Sequence, residues 1–149
     1  MNGLRLKHGM WVVVADGEKA LFFRNEGDAS YPNLSVVKEM RDTSLDELDD
    51  DTDQRGRFNN GPSPHKSAME KTDVQRVAKE RFADDIAERL YKMAHRGDLD
   101  GVVLVAPPLV LGEMRKKLHK EVEQKVVGEL PKTLTHHPVS EIEKILTAA

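Results

Sequence analysis

The sequence lacks cysteine, and it also lacks any long apolar run. Without cysteine there are no disulfides, thiolate metal sites or thiol nucleophiles, which is typical of a protein in a reducing compartment. No apolar stretch is long enough to span a bilayer, and residues 1–9 lack the apolar core of about 7–15 residues found in an export signal. We therefore expect a cytoplasmic protein with no membrane partner.

The chain also lacks an excess of positive charge and the motifs of cofactor binding. Its formal net charge of −3 argues against nucleic-acid binding over a wholly basic surface, although it permits a local basic patch. No glycine-rich segment has the spacing of a Walker or dinucleotide-binding loop, and no serine lies in a nucleophile elbow. We accordingly assign no cofactor and no catalytic residue.

Histidines and acids provide two candidates for metal binding. His136 and His137 are neighbours in an extended segment, so their side chains point in opposite directions, and no third ligand accompanies them at a fixed spacing. A two-metal nuclease needs several carboxylates that converge on its ions. Asp16 is explained by a turn. Asp98 and Asp100 precede the apolar strand at residues 101–106, whereas such nucleases place a carboxylate at the end of that strand. We assign no metal site and keep a metal-dependent nuclease as an alternative.

Apolar runs and turn signals near the start of the chain predict three strands. The run Trp11–Ala15 is followed by Asp16 and Gly17, a strong hairpin signal because glycine accepts the positive φ that such turns require. Residues 20–23 form a returning strand, and a third strand covers residues 33–40. We predict a three-stranded antiparallel meander.

From residue 72 onwards, helical and strand patterns alternate. Thr72 and Gln75 have capping-box spacing and predict the start of a helix that ends at Gly97, a residue suited to the left-handed conformation. The apolar face of this helix consists of Val74, Val77, Ala78, Phe82, Ile86, Leu90 and Ala94. Residues 101–106 are apolar throughout, which predicts a central strand covered on both faces.

The last part of the chain predicts a second helix, a strand at residues 126–130 and a terminal helix. The apolar face of the second helix consists of Met114, Leu118 and Val122. Ser140 and Glu143 form a second capping box, which opens the terminal helix. The resulting order, β-β-β-α-β-α-β-α, predicts a single α/β domain over residues 1–149, with a mixed sheet and helices packed on it.

A segment with no regular pattern lies between the strands and the first helix. Seven acidic residues fall within residues 42–53, a charge run typical of a solvated stretch. Residues 54–70, QRGRFNNGPSPHKSAME, follow, and their glycines, asparagines and prolines oppose regular structure. We predict a mobile loop at residues 42–71, with order returning at Thr72.

Four segments of the chain, taken in order, match the pattern of a known bacterial family. They are HGMWVVVADGEKALFF, SAMEKTD, VVLVAPPLVLGEMRKKL and VVGELPKTLTHHPVSEIEKIL. Together they resemble the bacterial host-attachment protein family, described as required for attachment to host cells. That family is in turn remotely similar to the central domain of archaeal and eukaryotic peptide-chain release factors and of Pelota. The resemblance implies a ribonuclease H-like α/β fold.

The resemblance also implies a role for the loop. In the release-factor domain the corresponding loop carries a Gly-Gly-Gln tripeptide that enters the peptidyl-transferase centre, but residues 55–68 contain no such tripeptide. Peptide release is therefore not implied, whereas contact between a basic loop and RNA phosphates is. The candidate residues for contact with RNA or a partner are Arg55, Arg57, Phe58, Asn59, Asn60, His65 and Lys66.

A second basic patch, with Arg115 and Lys116 on the second helix, is a further candidate. Acidic neighbours favour an ordinary solvated surface there; they are Glu113, Glu121 and Glu123. We predict a non-catalytic binding protein of the host-attachment family that contacts RNA or the ribosome through the 54–70 loop. The alternatives are a factor in attachment to host cells or surfaces, direct or indirect, and the nuclease. The sequence leaves the oligomeric state open.

Overall fold

The computed structural model describes residues 5–41 and 67–148; for residues 67–76, 78 and 79 it describes only the helical backbone. Five strands and four helices lie within these residues. In chain order they are β1 Trp11–Ala15, β2 Lys19–Asn25, β3 Leu34–Arg41, α1 Ser67–His95, β4 Val102–Val105, α2 Pro108–Lys117, α3 Lys120–Glu123, β5 Val126–Leu130 and α4 Val139–Ala148.

The five strands form one mixed sheet in the order β3-β2-β1-β4-β5. β2 pairs antiparallel with both β1 and β3, which confirms the predicted meander. β4 pairs parallel with both β1 and β5, so the apolar strand predicted at residues 101–106 lies inside the sheet. The predicted mixed α/β fold is confirmed.

Helices cover both faces of the sheet. One face shares a core with α1, α2 and α3, which includes Val13, Phe22, Phe82, Ile86, Leu90, Leu104, Leu111, Met114 and Val122. The other face shares a core with α4, which includes Val12, Phe23, Val103, Ile142 and Leu146. Alternate residues of β1 enter opposite cores, so its unbroken apolar run is explained by burial on both faces. No helix in the described ranges is both long and apolar enough to cross a membrane.

The hairpin between β1 and β2 forms as predicted, but Gly17 does not supply a positive φ. Among the described residues, positive φ is confined to two other glycines. The turn is held instead by the Asp16 carboxylate, whose Oδ1 accepts hydrogen bonds from the backbone N–H groups of Glu18 at 2.7 Å and Lys19 at 2.8 Å. The aspartate side chain, rather than the glycine backbone, stabilises this turn.

Helix α1 begins at Ser67, before the predicted start at Thr72. Thr72 therefore lies within the helix and does not cap it. The segment between them contains the good helix formers Ala68, Met69 and Glu70, whose propensity extends the helix upstream of the capping signal. Residues 67–71, which were predicted to belong to the loop, are helical, while residues 42–66 lie outside the described residues.

α1 ends just before Gly97, where the sequence predicts its end. Gly97 has a φ of 80°, in the left-handed region that a side chain with a Cβ rarely adopts. Its backbone N–H donates to the Ala94 carbonyl at 3.0 Å, and the N–H of Asp98 donates to the Met93 carbonyl at 2.9 Å. The glycine therefore closes the last turn of the helix by satisfying two of its terminal carbonyl groups.

The predicted second helix is two helices, so the element order gains one helix. α2 ends where Leu118 becomes extended, with a φ of −67° and a ψ of 134°. α3 then places Val122 in the α1-side core and the ring of His119 with its centroid 4.2 Å from that of Tyr91. Apolar residues spaced by four fit one helix or two helices that bury the same face, so the pattern could not separate them.

α4 begins at Val139, one residue before the predicted cap at Ser140. The carboxylate of Glu143 does not return to the start of this helix. Its Oε2 accepts the backbone N–H of Leu34 at 2.8 Å, at the beginning of β3. A partner from a distant part of the chain has therefore replaced the predicted capping box.

Asn25, at the end of β2, is a fully buried polar residue that organises the turns around it. Its Nδ2 donates to the Leu6 carbonyl at 2.6 Å, and its Oδ1 accepts from the backbone N–H groups of Gly27 at 3.0 Å and Asn33 at 2.9 Å. One buried side chain thus satisfies three backbone groups that would otherwise lose these partners.

Replacing Asn25 by alanine is expected to lower the free energy of unfolding by about 2–3 kcal/mol, because buried backbone groups are left without partners. Urea denaturation followed by circular dichroism measures the change. Asn33→Ala is the control, since the Asn33 side chain is exposed, and its effect is expected to stay within about 0.5 kcal/mol. Equal stability of the two variants would contradict the role given to Asn25.

Candidate functional site

The register of β2 and β3 brings basic side chains onto the face of the sheet that α1 covers. Lys38 pairs with Phe22 and Arg24 pairs with Trp11, and both aromatic residues belong to the α1-side core. The ladder is irregular at this point, and Val37 has no partner across it. Arg24 and Lys38 therefore emerge on the α1 side, towards the β3 edge of the sheet.

The end of α1 supplies the opposite wall. Arg89 and Met93 lie on α1, and Arg96 follows its last residue in a turn. The backbone N–H of Arg96 still donates to the Lys92 carbonyl, so the steps of four and three residues place all three on one side. Met93 is buried in the α1-side core, and the two arginines flank it. The two walls enclose a cavity of about 570 Å³, hereafter the basic groove. Its charged lining consists of Arg24, Lys38, Arg89, Arg96, Asp98 and Asp100, over a floor of Trp11, Phe22 and Met93.

Two of the four arginine and lysine side chains in the basic groove are already paired. Arg24 Nη1 lies 2.9 Å from the Glu26 carboxylate, and Arg96 Nε lies 3.1 Å from that of Asp98. Lys38 and Arg89 have no ion-pair partner among the residues that the structure describes. These two cations, one on each wall, can bind an anion without giving up a carboxylate.

A hydrogen bond fixes the two walls of the groove relative to each other. The indole Nε1 of Trp11 donates to the carbonyl oxygen of Asp98 at 3.0 Å, which ties the start of β1 to the segment that follows α1. Asp98 also closes the end of α1 through its own backbone N–H, as described above. Asp98 therefore links the end of α1 to strand β1 through hydrogen bonds.

The predicted residues Arg115 and Lys116 lie on α2, outside the basic groove, and both are paired. Arg115 forms an ion pair with Glu129 of β5, and the hydrogen bond and charge of that carboxylate raise the pKa of the Arg115 guanidinium above its ordinary value. Lys116 Nζ lies 3.5 Å from the Glu113 carboxylate. The pairing expected with Glu113 is present, whereas the pairing with Glu129 joins residues that are distant in sequence.

The predicted loop residues lie outside the described residues; they are Arg55, Arg57, Phe58, Asn59, Asn60, His65 and Lys66. α1 begins directly after them at Ser67, while the basic groove lies near its other end. At 1.5 Å per residue, Ser67 and Arg89 are separated by about 33 Å along the helix axis. The start of α1 and the basic groove therefore lie at opposite ends of this helix.

Asp16, the carboxylate considered for a nuclease, is used by the fold. Besides holding the hairpin turn, it accepts the Thr135 hydroxyl at its Oδ2, at 2.6 Å. Within residues 5–41 and 67–148, no group of three or more histidine, aspartate or glutamate side chains is placed to hold a metal ion. His136 and His137 are exposed in the link between β5 and α4.

The sequence did not single out the cations of the basic groove. The spacing of Arg89 and Arg96 around Met93 was a readable signal, since it puts basic residues beside the buried face of a helix. The position of Lys38 depends on the irregular pairing of β2 with β3, which no local pattern indicates. The spacing of Arg89 and Arg96 did not indicate which strands would lie opposite them.

The fold and the groove define a mixed-sheet α/β protein with a groove lined by basic residues near one sheet edge. The chain belongs to bacterial archaeo-eukaryotic release factor family 12, whose model matches residues 9–146. This membership confirms the relation to release factors that the sequence resemblance implied.

One solved structure to which the chain is similar is the archaeal translation termination factor aRF1, at 15% identity and with a TM-score of 0.45. The match covers 93% of this chain and 35% of that one, so the chain spans 35% of the length of that factor. No curated protein matches the chain.

Replacing Lys38 and Arg89 by glutamine is expected to change the free energy of unfolding by no more than about 0.5 kcal/mol each, because neither breaks an ion pair with a described residue. Glutamine keeps part of the aliphatic stem and removes the charge. Thermal and urea denaturation of the two single variants and the double variant measure this. A loss above about 2 kcal/mol would show that the groove cations serve the fold.

Proposed function

We propose that this protein is a non-catalytic binding protein that contacts RNA at the ribosome, through the basic groove and the 54–70 loop. The observation that carries the proposal is the pair of cations Lys38 and Arg89, without described partners, on opposite walls of one groove. Membership of a release-factor family supports the setting, since release factors work at the ribosome.

Phosphate binding favours cations that are not already neutralised. A phosphate that approaches Arg24 or Arg96 competes with a carboxylate 2.9 or 3.1 Å away. At Lys38 and Arg89 it meets no competing carboxylate from the described residues, and the release of counterions favours binding. Contacts of this kind position a nucleic acid without reading its sequence, so the proposal is recognition of the RNA backbone.

The 54–70 loop is proposed to form a second contact. Its candidate cations Arg55, Arg57 and Lys66, with His65, precede α1, and Phe58 offers a ring on which a base can stack. Because the groove lies near the opposite end of α1, the helix would act as a spacer between two contacts. The loop contains no Gly-Gly-Gln, so peptide release is not part of the proposal.

The finer assignments are also proposals. We propose a single cytoplasmic domain over residues 1–149 with a ribonuclease H-like sheet, supported by three antiparallel strands followed by two parallel ones. A role in attachment to host cells stays a prediction from the sequence resemblance, and an effect of RNA binding on expression would make it indirect. The nuclease alternative gains no support from Asp16, whose carboxylate is bonded to the turn and to Thr135.

Co-sedimentation with purified ribosomes at several salt concentrations tests the proposal. The double variant Lys38→Gln with Arg89→Gln is expected to associate about tenfold more weakly at low salt, because two phosphate contacts are lost. The dependence of the logarithm of affinity on the logarithm of salt concentration is expected to become shallower by about 1.5. Replacing Arg55, Arg57, His65 and Lys66 by alanine is expected to weaken association independently.

Two control variants separate the groove from overall charge. Lys132→Gln with Lys144→Gln removes the same charge from exposed positions outside the groove and is expected to leave association within about twofold. Arg115→Gln with Lys116→Gln is expected to have an intermediate effect, since both side chains are already paired. Association that is unchanged in the groove variant and in the loop variant, with both proteins folded, would refute the proposed function.

A further inference from the structure

The size of the basic groove suits a small ligand as well as a stretch of RNA backbone. Its cavity of about 570 Å³ lies within the range of roughly 300–1,000 Å³ typical of small-molecule sites. Its floor is apolar and its rim is charged, which is the usual arrangement of a site that binds an amphipathic ligand. Different parts of the lining suit different chemical groups.

One part of the groove is suited to a phosphate group. Lys38 lines the sheet wall and Arg89 lines the helix wall, so the groove carries a cation on each side. Arginine presents several N–H donors in a plane that matches two phosphate oxygens, while lysine provides a compact charge. Neither side chain is engaged by a carboxylate among the described residues.

A second part of the groove is suited to hydroxyl or amino donors. Asp100 lines it, is exposed, and has no ion-pair partner within the described ranges, unlike Asp98, which pairs with Arg96. A carboxylate accepts hydrogen bonds from ribose hydroxyls and from the exocyclic amines of bases. A site that recognised phosphate alone would gain nothing from this carboxylate, because like charges repel.

A third part of the groove is apolar. Val37 lies outside the regular ladder, lines the groove and is 54% exposed, so its side chain is not buried in the core. A planar base that covers Val37 would remove this apolar surface from water. The groove thus offers cations for a phosphate, a carboxylate acceptor for hydroxyl or amino groups, and an apolar wall for a ring.

We propose that the basic groove is a binding site for a nucleoside monophosphate unit, with its phosphate between Lys38 and Arg89, its hydroxyl or amino donors on Asp100, and its base against Val37. The inference rests on the proposed function, because it assigns one nucleotide of the bound RNA to this groove. A free nucleotide and the terminal nucleotide of an RNA chain share this chemistry.

Titration of the full-length protein, followed by NMR chemical shifts and calorimetry, tests the inference with AMP, GMP, CMP and UMP. Inorganic phosphate and adenosine serve as partial ligands. At least one nucleotide is expected to bind ten times or more tightly than either partial ligand, since each lacks one half of the recognised groups. Short RNA oligonucleotides ending in the preferred nucleotide form a second arm, which identifies an RNA terminus if they bind more tightly than the free nucleotide.

The variants assign the contacts. Lys38→Gln and Arg89→Gln are each expected to weaken nucleotide binding at least fivefold, whereas Asp100→Asn is expected to weaken binding of the nucleotide but not of inorganic phosphate. Lys144→Gln, outside the groove, is expected to bind like the unmodified protein. Inorganic phosphate binding as tightly as every nucleotide would overturn the inference, and so would nucleotide affinity that is insensitive to the groove variants.

Failure of this inference is distinguishable from failure of the proposed function. If ribosome association depends on Lys38 and Arg89 but no nucleotide binds up to millimolar concentration, the nucleotide site is refuted and the backbone contact stands. If a nucleotide binds in the groove but no RNA or ribosome association is found, the proposed function fails alone. Binding of an acidic peptide in preference to every nucleotide would also overturn the assignment.

Discussion

Burial of β1 on both faces is the constraint from which the rest of the structure follows. All five of its residues are buried, so a layer of helices must cover each side of the sheet. A helix with its side chains is about 10 Å wide and strands lie about 4.8 Å apart, so one helix covers roughly two strands. On the α1 side, α2 and α3 lie beside α1 and cover the β4 side of the sheet. The basic groove lies between β3 and the end of α1, at the margin of this helical layer.

The sequence predicted the parts of the fold that depend on local burial. The run Trp11–Ala15 and residues 101–106 are apolar because both faces of those strands are covered, and that pattern is readable without knowledge of the partners. Details that depend on tertiary contacts were predicted incorrectly. Glu143 has the spacing of a capping box, but its carboxylate accepts a hydrogen bond from the backbone N–H of Leu34 instead. Nothing near residue 143 in the sequence indicates that β3 lies beside it. The break at Leu118 was also missed. Val122 would lie in the α1-side core whether residues 108–123 formed one helix or two, so the apolar spacing does not distinguish these arrangements.

The candidate site shows the same limit in its electrostatics. A sequence reveals where cations are clustered, and on that basis Arg115 and Lys116 were candidates, but it does not reveal which cations are neutralised. Arg115 meets Glu129 only because α2 packs beside β5, and this pairing raises the pKa of the guanidinium. Lys38 and Arg89 belong to no cluster in the sequence, yet the fold places both in one groove. Whether a cation is paired with a carboxylate is therefore set by the fold and not by the segment that contains it.

The two proposed contacts differ in how much order binding requires. The groove is built from a sheet and the end of a helix, and the hydrogen bond from Trp11 to the Asp98 carbonyl holds these walls together before any ligand arrives. Ligand binding in the groove would then order only the side chains that contact the ligand, and not the walls themselves. A second contact by residues 54–66, which precede α1 in the chain, would be intramolecular once the groove is occupied. The contribution of this second contact would depend on its effective concentration near the bound RNA, which the length of α1 limits. Two weak contacts held apart in this way would favour an RNA surface that matches their spacing.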